Sequence, residues 1–330
     1  MNNRTEPTSP LVPLTFQPLF RRALWGGTRL ASLLAKSSGH LDDCSESWEV
    51  VDLADEQSTV ESGPWSGWTL GRLVKEHGEA LLGRHAPRDS FPLLLKFLDA
   101  TDRLSLQVHP DNVTAARHHP GCRGKTEAWV ILSAAPGSRL WAGLQPGTTP
   151  DQLVAALTTG DINSCVGSFE ARVGQCVVVP AGTVHAIGEG IVLAEIQQSS
   201  DLTYRLHDWG RIGTDGTPRR IDIERGIESV DFDSGPVTPT APPADDTPGQ
   251  LTLVERPEFH VVRHRVVNHF ELVNDDRCRI LTTIAGTGSL EAIGTRFELS
   301  AGCTVLLPAT VGTVSLDSDD GLTLLDAHPP

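Results

Sequence analysis

The chain has 330 residues and a formal net charge of −15, with 42 acidic and 27 basic residues. This length is sufficient for two domains that each bury a core. The acidic excess argues against a general affinity for nucleic acid or anionic membranes, and a small anionic ligand would need a local cluster of Lys and Arg.

The cysteines and the N-terminus bear on the compartment. The six cysteines form no CxxC pair, and the stretch MNNRTEPTSPLVP has no apolar segment of the kind that directs secretion. No apolar run reaches the length of roughly eighteen residues that a membrane helix needs. We therefore expect a cytoplasmic protein without a membrane partner, in which the cysteines are small buried hydrophobic residues.

Two stretches rich in Pro, Thr, Asp and Gly divide the chain. We expect a disordered N-terminus over residues 1–13, a catalytic domain over 14–232, a linker over 233–250 and a small second domain over 251–330. The second domain is close to the lower size limit for an independent core.

Helical patterns are confined to a few segments. WTLGRLVKEHGEALLG places Leu70, Leu73, Val74, Leu81 and Leu82 on one helical face. TTPDQLVAALTTG predicts a helix that begins with a capping box, formed by Thr149 and Gln152, with Pro150 in its first turn. These helices are insertions in a chain of mostly short, β-branched segments.

The β-branched segments include CVVVPAGTVHAI, GIVLAEIQ, HVVRHRVV and CTVLLPATVGTVSL, separated by Gly, Pro and Asp turns. Such a pattern is typical of a β-sandwich or β-barrel. The spacing from Gly174 to Pro180 recurs from Gly302 to Pro308, each followed by Ala and another strand. We therefore predict a mainly β protein with two cupin-like jelly-roll β-barrel domains and a few short helices.

The stretch SLQVHP places Ser105, Gln107 and His109 on one face of a strand, because alternate side chains of a strand share a face. A solvent-exposed strand and a strand that lines a barrel interior would both show this alternation. The strand alone favours the first interpretation.

Further ligand types lie on other predicted strands. Lys125 and Glu127 share a face in GKTEAWVIL, and His185 begins a strand after the Pro-Ala-Gly turn. A carboxylate that points into a barrel needs a charged partner or a metal. With His109 and Gln107 these side chains predict a mononuclear zinc site, one ion per chain, at which other divalent first-row metals also fit. In the second repeat Thr313 replaces the histidine, so we expect the second barrel to be metal-free.

The chain resembles the type I mannose-6-phosphate isomerases in their shorter bacterial form. The resemblance lies in RRALWGGTRL, LKFLDATDRLSLQVHPD, GKTEAWVIL and VPAGTVHAIGEGIVLAEIQQSSDLTYRLHDWGR, and covers about Phe16 to Asp231. The last eighty residues or so match only in general character.

The resemblance implies a role for each matching residue. The metal ligands would be Gln107, His109, Glu127 and His185. Ser105, Lys96 and Lys125 would border the sugar phosphate, and Arg205 would reach the active site. Glu195 and Asp201 match acidic positions near the substrate.

The implied reaction interconverts mannose 6-phosphate and fructose 6-phosphate through an enediolate. It requires positive charge near the enediolate oxygens and a base that moves a proton between neighbouring carbons. Arg205, Lys96 and Lys125 would supply fixed charge. The candidate bases are Glu195, then Asp201, then Lys125 if it is desolvated.

Two other functions remain open on the residues alone. A cupin oxygenase with iron also uses His and carboxylate ligands, although the Lys and Arg set favours a phosphate. A sugar-binding module on a degenerate barrel is the alternative that is not an enzyme. For the isomerase we expect a small sugar-phosphate ligand, no nucleic-acid partner, and a monomer or weak dimer. The histidines at positions 118, 119, 260, 264 and 269 are expected in loops or on a solvated strand face.

Overall fold

A computed structural model describes residues 9–36, 44–213, 216–243 and 247–330, and these form a mainly β protein. The helices are α1 (Arg29–Leu34), α2 (Leu70–Leu82), α3 (Asn112–His118), α4 (Pro150–Thr159) and α5 (Ile223–Ser229), with a 3-10 turn at Ile162–Ser164. The strands of the first part are β1 (Phe16–Gln17), β2 (Leu19–Arg21), β3 (Glu46–Val50), β4 (Thr59–Val60), β5 (Leu93–Ala100), β6 (Leu106–Val108), β7 (Glu127–Ala134), β8 (Arg139–Leu144), β9 (Val166–Glu170), β10 (Cys176–Val179), β11 (His185–Ile187), β12 (Ile191–Gln198) and β13 (Tyr204–His207). The last part contains β14 (Gly249–Glu255), β15 (His260–Leu272), β16 (Arg279–Ala292), β17 (Thr295–Ser300), β18 (Thr304–Leu307) and β19 (Val314–His328).

Two antiparallel sheets face each other in the first part of the chain. The six-stranded sheet has the order β10-β7-β12-β5-β3-β2, and the five-stranded sheet has the order β13-β6-β11-β8-β9. Between them lies a cluster of buried apolar side chains that includes Leu98, Trp129, Ile187 and Leu193. His109, Glu127 and His185 lie in the same space, so the interior has an apolar part and a polar, charged part.

The strand β6 shows how the alternation is used. Leu106 and Val108 are fully buried in a cluster with Tyr204 and Leu206 on the outer side of the five-stranded sheet. Gln107 points the opposite way, towards the six-stranded sheet, and its amide contacts His185. The polar face of SLQVHP therefore lines the interior, and the solvent-exposed interpretation is wrong.

The predicted helical signals are confirmed. The side chain of Thr69 accepts a hydrogen bond from the N–H of Arg72 at the start of α2, and the predicted apolar face of this helix is buried. Helix α4 begins with the predicted capping box between Thr149 and Gln152. His77 has a non-helical backbone conformation and kinks α2, which the apolar periodicity did not indicate.

The repeat has a structural counterpart. Gly174 and Gly302 both have positive φ, at +84° and +91°. Each lies in a turn directly before a strand, β10 in one case and β18 in the other. Residues with a side chain rarely adopt positive φ, which explains why both repeats have glycine at this position.

The last part of the chain forms a six-stranded sheet of order β14-β15-β19-β16-β17, with β18 paired to β16. One side of it joins the largest apolar cluster, in which Val261 and Ile280 share a core with Phe97 and Ala128 of the first part. Residues 237–240 lie against the surface of the first part, since Val237 N–H donates to Ala142 O at 3.0 Å and Thr240 N–H donates to Cys176 O at 2.8 Å. The two parts are thus joined by a common core and by a docked connection.

Several local expectations need correction. His264 is buried, with Nε2 3.3 Å from Oδ2 of Asp326, because both side chains point into the C-terminal sheet structure. Cys122 is exposed and Cys303 is partly exposed, while the other four cysteines are buried. Residues 1–8 lie outside the described residues, but Leu11 is buried, so the end of the expected disordered segment is packed.

Among the described residues, no helix combines the length and apolar character needed to cross a membrane.

Candidate metal centre and active site

Three predicted ligands converge between the two sheets. His109 follows β6, Glu127 begins β7 and His185 begins β11. His109 Nε2 lies 3.3 Å from Glu127 Oε2, and His185 Nε2 lies 3.3 Å from Glu127 Oε1. One ligand atom from each residue falls within 4.8 Å of the others, and all three residues are buried. Among the described residues this is the one group of His, Cys, Asp and Glu with such an arrangement.

Backbone carbonyl groups orient both imidazoles. Nδ1 of His109 lies 3.0 Å from Leu202 O, and Nδ1 of His185 lies 2.9 Å from Thr183 O. A carbonyl oxygen only accepts, so each neutral ring carries its proton on Nδ1 and presents the lone pair of Nε2 to Glu127. Histidine ligands of metals are commonly held in this way. The donor set therefore fits a divalent first-row metal.

Glu127 has the charge that such a site requires. Burial alone raises its pKa, but Lys125 and His109 reverse this effect and hold the pKa well below the usual range of a glutamate. Lys125 Nζ makes an ion-pair contact of 2.8 Å with Oε2, yet neither buried oxygen receives a well-directed hydrogen bond. An ionised, buried carboxylate with unused acceptor capacity is a natural ligand for a cation.

The histidines are neutral near pH 7. Burial lowers the pKa of His109 to about 3, and the charge of Lys125 adds to this effect. Burial also lowers the pKa of His185. Neutral imidazole is the form that binds metals, so no proton has to be removed from these side chains first.

Gln107 and Ser105 lie beside the three ligands. The Cα of Gln107 is in register with His185 on one side and with Arg205 on the other. Its Nε2 lies 3.1 Å from His185 Nε2, and its Oε1 accepts from Ser105 Oγ at 3.4 Å. The amide nitrogen and oxygen of glutamine are assigned from such contacts, and a half-turn of the amide would direct the oxygen towards the ligands instead.

A chain of alternating charges leads away from Glu127. Lys125 Nζ lies 3.4 Å from Glu195 Oε1, and Lys96 Nζ lies 3.1 Å from the same oxygen. Lys96 also contacts Glu46 at 3.5 Å. The buried Lys96 in FPLLLKFL therefore has two carboxylate partners, as a lysine inside an apolar strand requires.

The charges of this chain shift the pKa values of its members. Burial raises the pKa of Glu195, and the neighbouring Glu127 raises it further, while Lys125 and Lys96 oppose both effects. Burial acts to lower the pKa of Lys125 and of Lys96, but the carboxylates around them prevail and raise both pKa values. Both lysines are therefore fixed positive charges at neutral pH.

Arg205 lies on β13, on the same face of the sheet as Gln107. Its Nη1 donates to Arg220 O at 2.9 Å, and its Nε is buried without a hydrogen-bond partner. Nearby Asp208 is paired with Arg211 and Arg219. The arginine thus belongs to a positively charged group at the edge of the five-stranded sheet.

Asp201, like Arg205, lies outside the buried cluster. It lies in an exposed loop after β12, although its charge still acts on Lys96 and Lys125. Two contacting residues were missed from the sequence. Trp129 donates from Nε1 to Glu195 Oε2 at 3.2 Å, and Glu46 contacts Lys96. Strand alternation would have found Trp129, which lies two positions after Glu127 on β7.

Comparison with known proteins identifies the family. Residues 14–125 match the family model "Phosphomannose isomerase type I, catalytic domain", and residues 249–324 match "Mannose-6-phosphate isomerase, cupin domain". The second match extends the likeness into the C-terminal part. A mannose-6-phosphate isomerase from Streptococcus mutans is 32% identical over 327 residues, which cover 96% of this chain and 98% of the relative.

Solved structures show the same fold. The mannose 6-phosphate isomerase of Bacillus subtilis aligns with a TM-score of 0.83 and 28% identity, over 96% of this chain and 99% of that chain. A mannose 6-phosphate isomerase described as bound with zinc and yttrium aligns with a TM-score of 0.76 and 17% identity, over 96% of this chain and 99% of that chain. The C-terminal cupin match and these alignments confirm the predicted cupin fold. By sequence and structure together, the chain belongs to the type I mannose-6-phosphate isomerase family of enzymes.

Proposed function

We propose that this enzyme interconverts mannose 6-phosphate and fructose 6-phosphate with the help of a divalent metal, by proton transfer through an enediolate. The observation that carries the proposal is the convergence of the two Nε2 lone pairs of His109 and His185 on the ionised Glu127. Family membership supports the isomerase activity, and the donor set supports the metal.

His109, Glu127 and His185 would hold the ion, with the amide oxygen of Gln107 as the fourth ligand. Zinc suits such a set of nitrogen and oxygen ligands, and other divalent first-row metals also bind it. One solved relative is described as binding zinc, which supports this choice. When bound, the ion would polarise the substrate oxygens as a Lewis acid.

Glu195 is the residue that we assign as the base. It is buried beside the ligands, and burial raises its pKa, which makes the carboxylate a stronger base than an exposed glutamate. In this role it accepts the proton from one substrate carbon and returns it to the neighbouring carbon. Asp201 is less suited because it lies in an exposed loop, and Lys125 because its raised pKa keeps it protonated.

The remaining residues would bind the anionic substrate. Lys125 and Lys96 are buried cations beside the ligand group, and Arg205 is half-buried on the neighbouring strand β13, opposite Gln107. With the hydroxyl of Ser105 they would hold the phosphate and offset the charge that develops on the enediolate oxygens.

The domain organisation also remains a proposal. We assign catalysis to residues 14–232 and a metal-free supporting role to 251–330, in which Thr313 stands where the first repeat has His185. The free thiols of Cys122, Cys165, Cys176, Cys278 and Cys303 support a reducing, cytoplasmic environment.

Isomerisation in D2O tests the proton-transfer mechanism. NMR of the product should show deuterium on the carbon that receives the proton, because the protonated base exchanges with solvent during some turnovers. Product formed without any deuterium, at every degree of conversion, would contradict proton transfer by an exchangeable base.

A further inference from the structure

A second pocket lies on the other side of the five-stranded sheet from the metal ligands. It has a cavity volume of about 380 Å³, and its walls include Arg103, Trp141, Asn163, His207 and Trp209. We call this set the tryptophan pocket. Trp141 belongs to the apolar cluster on the outer side of the sheet and is in register with Ala186 of the same cluster. None of the pocket residues belongs to the proposed active site.

Three aromatic rings form one wall of the tryptophan pocket. The ring centroids of Trp141 and Trp209 are 6.0 Å apart with an interplanar angle of 47°. The His207 ring lies 4.9 Å from Trp209, nearly perpendicular to it. The two tryptophan faces are tilted and too close to enclose a flat base between them, whereas a puckered sugar ring can place its C–H groups against them.

The tryptophan rings are held by hydrogen bonds. Trp141 Nε1 donates to Asn163 Oδ1 at 2.9 Å, and Trp209 Nε1 donates to Leu104 O at 2.7 Å. Trp209 also has a φ of +58°, a conformation that is costly for a bulky residue and is often found at functional sites. The wall is therefore fixed before any ligand binds.

The charge of the tryptophan pocket is positive. The guanidinium of Arg103 stacks on Trp209 at 4.5 Å from the ring centroid, and within the described ranges it forms no ion pair. The carboxylate of the adjacent Asp102 accepts from the Arg103 backbone N–H at 2.8 Å and pairs with Arg211 at 3.7 Å. His207 Nδ1 accepts from the N–H of Trp209 at 3.1 Å, so the neutral ring carries its proton on Nε2 as a further donor. Asp208, the acidic neighbour of His207, is already paired with Arg211 and Arg219.

We propose that the tryptophan pocket is a second binding site, for a phosphorylated monosaccharide. The sugar ring packs on the indole faces, and the phosphate binds Arg103 with the help of His207. The volume falls in the usual range of small-molecule sites. In a chain of net charge −15, a guanidinium that stacks on one indole ring and has no ion-pair partner among the described residues is the complement that an anionic sugar requires.

The number of binding sites tests this inference. Equilibrium dialysis of the full-length, metal-loaded protein against a labelled mixture of mannose 6-phosphate and fructose 6-phosphate should give two sugar phosphates per chain. Arg103→Glu should remove one site or weaken it at least tenfold. Arg139→Glu, a change of an exposed arginine on β8, should retain both. Arg103→Met serves as a second variant should Arg103→Glu fail to fold.

Two results would overturn the inference. One is a single site in the wild-type protein that persists in both Arg103 variants, and the other is two sites of unchanged affinity in all variants. The proposed function fails in a different way. If only the proposed function is wrong, the wild-type protein should bind one sugar phosphate per chain. Arg103→Glu should lose this site, whereas Glu127→Gln should retain it.

Discussion

Lys125 Nζ lies 2.8 Å from Oε2 of Glu127, the carboxylate on which two histidine side chains converge. A fixed cation therefore shares the ligand that the metal would use. This relationship allows metal binding and catalysis to be tested separately. Removal of the Lys125 ammonium makes the site more negative, whereas removal of the Glu127 carboxylate makes it more positive.

Lys125→Met should preserve or strengthen metal binding while turnover falls by about 100-fold or more. The change removes a positive charge that competes with the ion for Glu127 and that we assign to the substrate phosphate. Metal content by mass spectrometry and initial rates check the two effects.

Glu127→Gln is the matched comparison, and it should lose both metal and turnover because a neutral amide replaces the ionised ligand. If Lys125→Met folds stably but loses the metal, the prediction is wrong, and the lysine is needed to hold the metal ligands in place.

Glu195→Gln should lower kcat by about 100- to 10,000-fold, since the amide accepts no proton in the reaction. Asp201→Asn should have a much smaller effect, because Asp201 is exposed and outside the buried cluster. Metal content should stay the same in both variants. Equal losses of kcat, or a larger loss for Asp201→Asn, would move the base from Glu195 to Asp201.

The metal-free protein should lose stability as the pH falls below about 6.5. Burial lowers the pKa of His109 to about 3 in the folded protein, so between these values the unfolded chain binds a proton that the folded chain does not. The contribution of His109 to the free energy of unfolding is therefore fully present above about pH 6.5. Below that pH, the free energy of unfolding decreases by up to about 1.4 kcal/mol per pH unit. His185, whose pKa is also lowered, acts in the same direction.

Urea unfolding in the presence of a chelator, from pH 7.5 to 4.5, measures this decrease. His109→Asn should show a flatter dependence than the wild-type protein. Stability that does not change across this interval in the wild-type protein would refute the assignment of neutral, buried histidines.

Gly143→Ala should destabilise the protein more than Gly147→Ala. Both glycines have positive φ, at +82° and +80°, so the conformational cost of about 1 kcal/mol is shared. A Cβ on Gly143 would overlap Gly235 O and lie 2.8 Å from Pro236 Cα, whereas one on Gly147 meets nothing within 4 Å.

The difference between the two alanine variants reports the contact of the linker with β8, and we expect about 1–3 kcal/mol by urea unfolding. Equal stability of the two variants would mean that the linker moves away from β8 without cost.

Much of the site was predictable because strand alternation fixes which side chains share a face. Ser105, Gln107 and His109 could be grouped from the sequence, and Lys125 with Glu127 in the same way. Alternation does not say which face is the interior. That choice depended on the ligand types on other strands, and the structure places Gln107 beside His185 across a strand pair.

Other features could not be derived from local patterns. His264 was expected in a loop or on a solvated strand face, yet Asp326, which is distant in sequence, is its buried partner. Glu46 contacts Lys96 only because β3 and β5 are neighbours in the sheet. Such contacts depend on strand order, which the spacing of residues along one segment does not contain.

The most direct test of the central claim measures turnover against metal content. The purified enzyme is dialysed against a chelator, titrated with zinc, and assayed for the conversion of mannose 6-phosphate to fructose 6-phosphate. Activity should vanish with the metal and return in proportion to zinc up to one ion per chain, with no return in Glu127→Gln. Full activity in the metal-free protein would contradict the proposed metal-dependent mechanism.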